Sequence, residues 1–209
     1  MTRTARLLHG ATALLCWFAL ILQYALVIGD LGLVLGSWRF FGFFTILTNL
    51  MVAIVSTATV LRPGSPLTSS IARHAALVSI LIVGITYSIA LRSLWNPAGW
   101  QKLADIALHD LSPLLYLVAW VAAPHHRLRW SALGPALVPP IVYLAYAMVR
   151  GAIDGWYAYW FLDPRALTLP QIALSCAVVL CAFLFIAALT IFADRLLARR
   201  SDIRNTDIR

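Results

Sequence analysis

The sequence predicts an all-α membrane protein, a bundle of six transmembrane helices with both termini in the cytoplasm. Hydrophobic residues make up 62% of the 209 residues and charged residues only 11%, less than half the share usual in soluble domains. The mean hydropathy is +0.86. Six apolar segments are long enough to cross a bilayer. This composition excludes a soluble enzyme, a disordered chain and a nucleic-acid-binding module.

Each predicted span contains about 20 mostly apolar residues, the length that crosses a hydrocarbon core about 30 Å thick. The first span follows Arg3 and Arg6, but it is too long for the apolar core of a signal peptide, so we expect it to stay as a helix. Proline and glycine in the connections, as at residues 62–66, separate the helices. The six spans are predicted at residues 7–28, 40–61, 71–91, 103–123, 131–149 and 170–192.

The basic residues predict the orientation. Eleven of the 16 Lys and Arg residues lie on the side of the two termini and five on the other, so the positive-inside rule places both termini in the cytoplasm. The net charge of +8 is explained by these span ends, without nucleic acid as a partner. We divide the chain into a six-helix transmembrane domain, 1–193, and a basic cytoplasmic tail, 194–209. Short loops and many Arg, Ala and Leu residues favour a bacterial inner membrane, with membrane lipids as partners.

The fourth span contains three ionisable residues, Asp105, His109 and Asp110. Such groups are costly inside a membrane, so each is a functional hypothesis by default. Asp105 and His109 are four residues apart and share one helix face, whereas Asp110 is rotated by about 100°. Only His109 is placed well inside a span, because the other histidines are placed at cytoplasmic ends or loops. One intramembrane histidine supports neither a haem nor a metal site, so no cofactor is predicted. The other histidines are His9, His74, His125 and His126.

The second span carries a polar stripe, formed by Thr45, Thr48 and Asn49 at positions i, i+3 and i+4. Polar residues often hold membrane helices together, and that role alone explains a stripe of this kind. Depth favours a different role. Counted from the outer ends of their spans, Thr45 lies about 8 Å deep and His109 about 9 Å deep. Tyr87, near the end of the third span, is at the same level, whereas the cytoplasmic half is expected to be more apolar.

This layer contains the residue types of nucleophilic catalysis. A threonine hydroxyl needs an adjacent base, and His109 is the candidate base for Thr45 or Thr48. Asp105 would orient the imidazole, with Asp110 as the second candidate for that role. The expected contacts to the substrate or its oxyanion come from an amide, a phenol, a carboxylate and an indole: Asn49, Tyr87, Asp110 and Trp156.

Trp156 belongs to an aromatic run over residues 156–161, just before the sixth span. Tryptophan and tyrosine are common at the membrane–water interface, so a belt at that depth is one interpretation. The run is denser than a belt requires. A segment that caps the outer end of the bundle is the other interpretation.

At these residues the sequence resembles the androgen-induced-gene-like family of six-span membrane proteins. The similarity lies in Phe-Thr-Ile-Leu-Thr-Asn-Leu at residues 44–50, in His-Asp-Leu-Ser-Pro at 109–113 and in the aromatic stretch at 155–164. The resemblance implies an integral-membrane threonine hydrolase that cleaves fatty-acid esters, with a nucleophile on the second helix and a histidine on the fourth. It assigns His109 the histidine role. Thr45 is preferred over Thr48 because it shares a helix face with Asn49.

Three functions remain open from the sequence. The first is a membrane-embedded hydrolase of lipid esters that works near the outer leaflet without a cofactor. The second is a non-enzymatic protein that binds or transports a lipid, a solute or protons. The third is a structural subunit whose polar layer only joins helices.

Overall fold

The computed structural model describes residues 1–94 and 96–206, with side chains as far as Arg199, so residues 207–209 of the predicted tail lie outside the described residues. The protein is 84% helical, and no strand occurs in the described part. Among the described residues, six helices are long and apolar enough to span a membrane, which confirms the predicted all-α bundle of six spans, while the orientation of the termini stays a prediction. The seven helices are α1 (Arg3–Leu31), α2 (Leu33–Phe40), α3 (Phe44–Leu61), α4 (Ser70–Leu94), α5 (Gly99–Ala122), α6 (Leu133–Asp154) and α7 (Leu169–Thr206).

The α4 helix is the centre of the bundle. It contacts α3, α5, α6 and α7, while α1 packs against α3 and α5 on one side. The largest core cluster is built from apolar side chains of α1, α3, α4 and α5. Apolar side chains also cover much of the outside of the bundle, as Leu174 and Phe185 do on α7. Such a surface suits lipid rather than water. The ends of the bundle are named outer and cytoplasmic after the orientation that the charges predict.

The short helix α2 is an element that the hydropathy pattern did not predict. It begins after Gly32, whose φ of 75° breaks α1 in a conformation that favours glycine. It then packs closely on the end of α1, since a Cβ atom added to Gly36 would lie 2.9 Å from the Ile28 Cα atom. The second span therefore starts at Phe44 instead of residue 40.

Side chains of α6 bind the carboxyl end of α2. The carbonyl groups at a helix end lack partners within the helix and carry a partial negative charge. The Arg150 side chain, which is buried, supplies both a hydrogen bond and a positive charge there, and its guanidinium stacks 4.0 Å from the Trp38 ring. The three bonds run from Tyr143 to the Gly42 carbonyl, from Tyr146 to the Phe41 carbonyl and from Arg150 to the Trp38 carbonyl.

The cytoplasmic half contains more buried polar groups than expected. His9 and His74 were placed at helix ends by the sequence, but both are fully buried inside the bundle. Because α1 begins at Arg3 and not at residue 7, His9 lies almost two turns inside the helix. His74 approaches the Thr190 hydroxyl of α7 at 2.9 Å. The expectation of an apolar cytoplasmic half was therefore wrong.

The first residues of the predicted tail are attached to the bundle. α7 continues without a break past residue 192. The Asp194 carboxylate accepts a hydrogen bond from the Leu128 amide at 2.7 Å and contacts His125 at 2.8 Å. Arg195 donates to the Leu128 carbonyl at 2.8 Å. The loop between α5 and α6 is therefore held against α7.

We expect Arg150→Met to destabilise the protein, because the Trp38 carbonyl loses its hydrogen-bond donor and the end of α2 loses a buried positive charge. The predicted loss is about 1–3 kcal/mol, the usual cost of removing a partner from buried groups bonded to a charge. Thermal unfolding in detergent measures it. Arg165→Met is the matched control, since Arg165 is exposed in a loop, where it pairs with Asp163. Equal melting temperatures for the two variants would contradict this role of Arg150.

Candidate functional site

Two π-helical turns face each other in the outer half of the bundle. They cover Tyr87–Leu91 in α4 and Ala107–Leu111 in α5. In the second turn the Ser112 amide bonds to the Ala107 carbonyl, five residues back, which leaves the Leu108 carbonyl without its usual amide partner. Pro113 has no amide proton, so the His109 carbonyl lacks its usual partner four residues further along the helix. Turns of this kind occur often at functional sites.

Asn49 of α3 fills the gap in the α5 backbone. Its side-chain amide donates to the Leu108 carbonyl at 3.2 Å and to the Thr45 carbonyl at 2.9 Å. The Ser112 hydroxyl donates to the Asn49 side-chain oxygen at 2.6 Å. Asn49 is fully buried, and in a membrane its polar atoms need such partners. The polar stripe of the second span thus holds the π turn of α5 in place.

Gly84 allows α4 to come close to the same turn. A Cβ atom at this position would lie 3.1 Å from the His109 carbonyl oxygen and 3.2 Å from the Pro113 ring. The absence of a side chain therefore brings the two π turns together. As a result, Tyr87 of α4 meets Asp105 and His109 of α5.

Asp105, His109 and Tyr87 form one hydrogen-bonded cluster. The His109 Nδ1 atom lies 3.1 Å from the Asp105 carboxylate and 3.0 Å from the Asp105 carbonyl oxygen. An ionised carboxylate and a backbone carbonyl can only accept hydrogen bonds, so we assign the imidazole proton to Nδ1. The Nε2 atom is then an acceptor. The Tyr87 hydroxyl donates to the other carboxylate oxygen at 2.6 Å, and its ring stacks on His109 at 3.8 Å between centroids.

Asp110 belongs to a different contact. It pairs with Arg92 at the outer end of α4, and both side chains are partly exposed. The Arg92 guanidinium also lies over the Tyr87 ring, 4.9 Å from its centroid. In this geometry Asp105, and not Asp110, is the carboxylate that orients His109.

A lateral pocket opens beside this cluster. It is enclosed by α3, α4, α6, α7 and the loop that follows α6, and it is partly open to the surroundings. Most of the wall is apolar. Its polar atoms come from a few hydroxyl groups, among them those of Thr45, Thr86 and Tyr87. An apolar wall with a few hydroxyl groups is typical of small-molecule binding sites.

Thr45 and Thr48 lie on different sides of Phe44. Thr45 is nearly buried in the wall of the lateral pocket, and Tyr159 lies near it in the same wall. Burial raises the pKa of Tyr159, which keeps the phenol protonated. Thr48 lines a separate groove beside α6, and its buried hydroxyl has no partner among the described residues.

The aromatic segment after α6 caps the outer end of the bundle. The Trp156 ring packs edge-on against Phe43 at 5.5 Å and lies under the Arg39 guanidinium at 4.3 Å. The Tyr159 ring packs edge-on against Phe43 and Tyr143, with ring centroids 6.2 Å and 6.1 Å away. The cap interpretation therefore describes this segment better than a simple belt. Trp156 lies beside the lateral pocket and not in its wall.

The structure thus brings together only part of the predicted site. Asp105, His109 and Tyr87 are in direct contact, and Thr45 lines the pocket next to them. Asn49 and the Tyr87 hydroxyl already donate within the protein, so neither is free to donate to an oxyanion in this conformation. The sequence pattern missed Tyr159 and Ser112. For Ser112 a signal existed, since it directly precedes the proline of the His-Asp-Leu-Ser-Pro motif.

No family model, curated protein or solved structure matches the chain. The resemblance to the androgen-induced-gene-like family therefore stays a prediction carried by the three sequence motifs alone.

Gly151→Ala should loosen the aromatic cap. The Tyr157 ring packs directly on Gly151, and an added Cβ atom would lie only 2.1 Å from it, so the ring must move. We expect a loss of about 1–3 kcal/mol, typical of overpacking, and faster proteolysis within residues 155–162. Gly134→Ala in the same helix is the control, because nothing lies within 4 Å of its added Cβ atom. Unchanged proteolysis in Gly151→Ala would contradict this packing.

Proposed function

We propose that the protein is a membrane-embedded hydrolase of lipid esters, with Thr45 as nucleophile and His109 as general base. The observation that carries the proposal is the contact between Asp105 and His109 beside an apolar pocket lined by a threonine hydroxyl. Asp105 holds the proton on Nδ1, so the lone pair of Nε2 is the one available to accept a proton. This is the tautomer that a base acting on a hydroxyl requires.

The reaction proceeds in two halves. Thr45 Oγ attacks the ester carbonyl carbon while its proton passes to His109 Nε2, and the ester C–O bond then breaks as His109 returns that proton to the leaving alcohol. Water next attacks the acyl-threonine, with His109 again as base, and releases the fatty acid and the Thr45 hydroxyl. Asp105 stabilises the imidazolium that forms in each half. No metal or cofactor takes part in these steps.

Tyr159 is the donor that fits the oxyanion role in this proposal. Its phenol lies near the Thr45 hydroxyl and within the pocket wall, where a substrate carbonyl would sit. When substrate enters, the Tyr159 phenol donates a hydrogen bond to the negative charge that develops on the carbonyl oxygen. Catalytic hydrogen bonds often tighten only in the substrate complex, so Thr45 and His109 need not be bonded beforehand.

A fluorophosphonate probe tests the nucleophile. The hydroxyl oxygen of an activated threonine forms a bond to phosphorus and fluoride leaves, which adds a defined mass to the protein. We expect an adduct on Thr45 in the detergent-purified wild type, located by peptide mapping. Thr45→Ala and His109→Ala should each abolish it, because one removes the nucleophile and the other its base.

Thr48→Ala and His126→Ala are the matched controls. Thr48 is one turn away on the same helix but lines a different groove, and His126 is exposed in a cytoplasmic loop. Both variants should label like the wild type. Labelling that survives in Thr45→Ala, or a folded wild type that does not label, would contradict the hydrolase assignment.

A second function, lipid binding without catalysis, is favoured by one feature. The pocket wall is almost entirely apolar, and the Thr45 hydroxyl lies near Tyr159 instead of a base. This function predicts that the purified protein retains a fatty-acyl lipid that native mass spectrometry detects, while no ester is hydrolysed. Turnover of a fluorogenic fatty-acid ester that depends on His109 would exclude it.

A further inference from the structure

A buried polar seam continues from the candidate site toward the cytoplasmic end. The face of α5 that points into the bundle carries Asp105, His109, Ser112 and Tyr116, which together span about 16 Å along the helix axis. That distance is about half the thickness of the hydrocarbon core. All four side chains are buried or nearly so.

Partners on α1 and α3 extend the middle of the seam. The Cys16 thiol of α1 lies near Ser112, and the Ser112 hydroxyl donates to the side-chain oxygen of Asn49 in α3. All three side chains are completely buried. The outer cluster and the middle of the seam are therefore one helical turn apart on α5.

The inner end of the seam lies around His9 of α1. Its ring packs edge-on against Tyr116 at 5.8 Å, and its Nδ1 atom is 3.5 Å from the Ser56 hydroxyl. The Tyr116 hydroxyl donates to the Arg73 carbonyl, and the Arg73 side chain donates to the Pro124 carbonyl in the cytoplasmic loop. The seam thus reaches the cytoplasmic surface.

Two polar atoms at this inner end have no partner. The His9 Nε2 and Arg73 Nε atoms are buried and make no hydrogen bond among the described residues, although both side chains are more than nine-tenths buried. An unsatisfied polar group in a membrane interior costs several kcal/mol, by general estimates. Water molecules are the usual partners of such groups. The positive charge of Arg73 lies within electrostatic range of the Asp194 carboxylate.

We propose that this seam is hydrated and conducts protons between the cytoplasmic face and the Asp105–His109 pair. Histidine and aspartate are the residue types of membrane proton relays. His9 exchanges protons with the cytoplasm through water at its free Nε2 atom. Hydroxyl groups and water then carry the proton along α5 to Asp105 and His109, which are the titratable groups at the outer end. No bond other than those to the transferred proton is made or broken.

Proton flux into liposomes tests the proposal. Purified protein is reconstituted in vesicles loaded with a pH-sensitive dye, and a potassium diffusion potential set with valinomycin drives protons across. We expect wild-type vesicles to change internal pH faster than protein-free vesicles. His9→Gln should bring the flux down to the protein-free rate, because glutamine has similar size and polarity but does not titrate.

His126→Gln is the matched control, since the same change is made at an exposed loop histidine outside the seam. Its flux should equal that of the wild type. Tyr116→Phe, which removes only one hydroxyl, decides the matter if His9→Gln does not fold, and it too should lower the flux. Wild-type vesicles no faster than protein-free ones, or full flux in a folded seam variant, would overturn the proposal. Fluorophosphonate labelling should persist in His9→Gln, because His9 takes no part in the hydrolase proposal. The flux assay therefore tests proton conduction, and the labelling assay tests the hydrolase.

Discussion

The break in the α5 backbone at the π turn is the constraint on which the rest of the site depends. Pro113 cannot donate to the His109 carbonyl, and the shifted bond of Ser112 frees the Leu108 carbonyl. A free carbonyl inside a membrane must find another partner. Asn49 supplies it, and this bond fixes α3 to α5 at the level of the site. The π turn of α5 therefore depends on an asparagine at position 49 to bond the carbonyl that it frees.

The region of the π turn also contains the residues of the candidate site. Asp105 and His109 are four residues apart beside this turn, and they meet through both the carboxylate and the carbonyl of the aspartate. Tyr87 closes the cluster from α4, where Gly84 allows the close approach. Asp105 accepts two hydrogen bonds, so a carboxylate at this depth is compensated in the way that buried charges require. The result is a histidine with one nitrogen occupied and the other available, next to an apolar pocket.

Hydropathy predicted the six spans because crossing a bilayer demands a run of apolar residues that any window detects. It missed α2, since eight residues after Gly32 carry no span signal. It also missed both π turns, which arise from contacts between helices. The pairing of Asp105 with His109 was predictable from their spacing of four. The burial of His9 was not, because a shift of four residues in the start of α1 changes its depth by about 6 Å.

The tautomer of His109 tests the central claim most directly. Selective ¹⁵N labelling of histidine, with His109→Gln to assign its signals, reports which ring nitrogen carries the proton. The account predicts a neutral imidazole protonated at Nδ1 and unprotonated at Nε2, and a loss of that preference in Asp105→Asn. A His109 protonated at Nε2, or a tautomer that Asp105→Asn leaves unchanged, would contradict the assignment of His109 as a base oriented by Asp105.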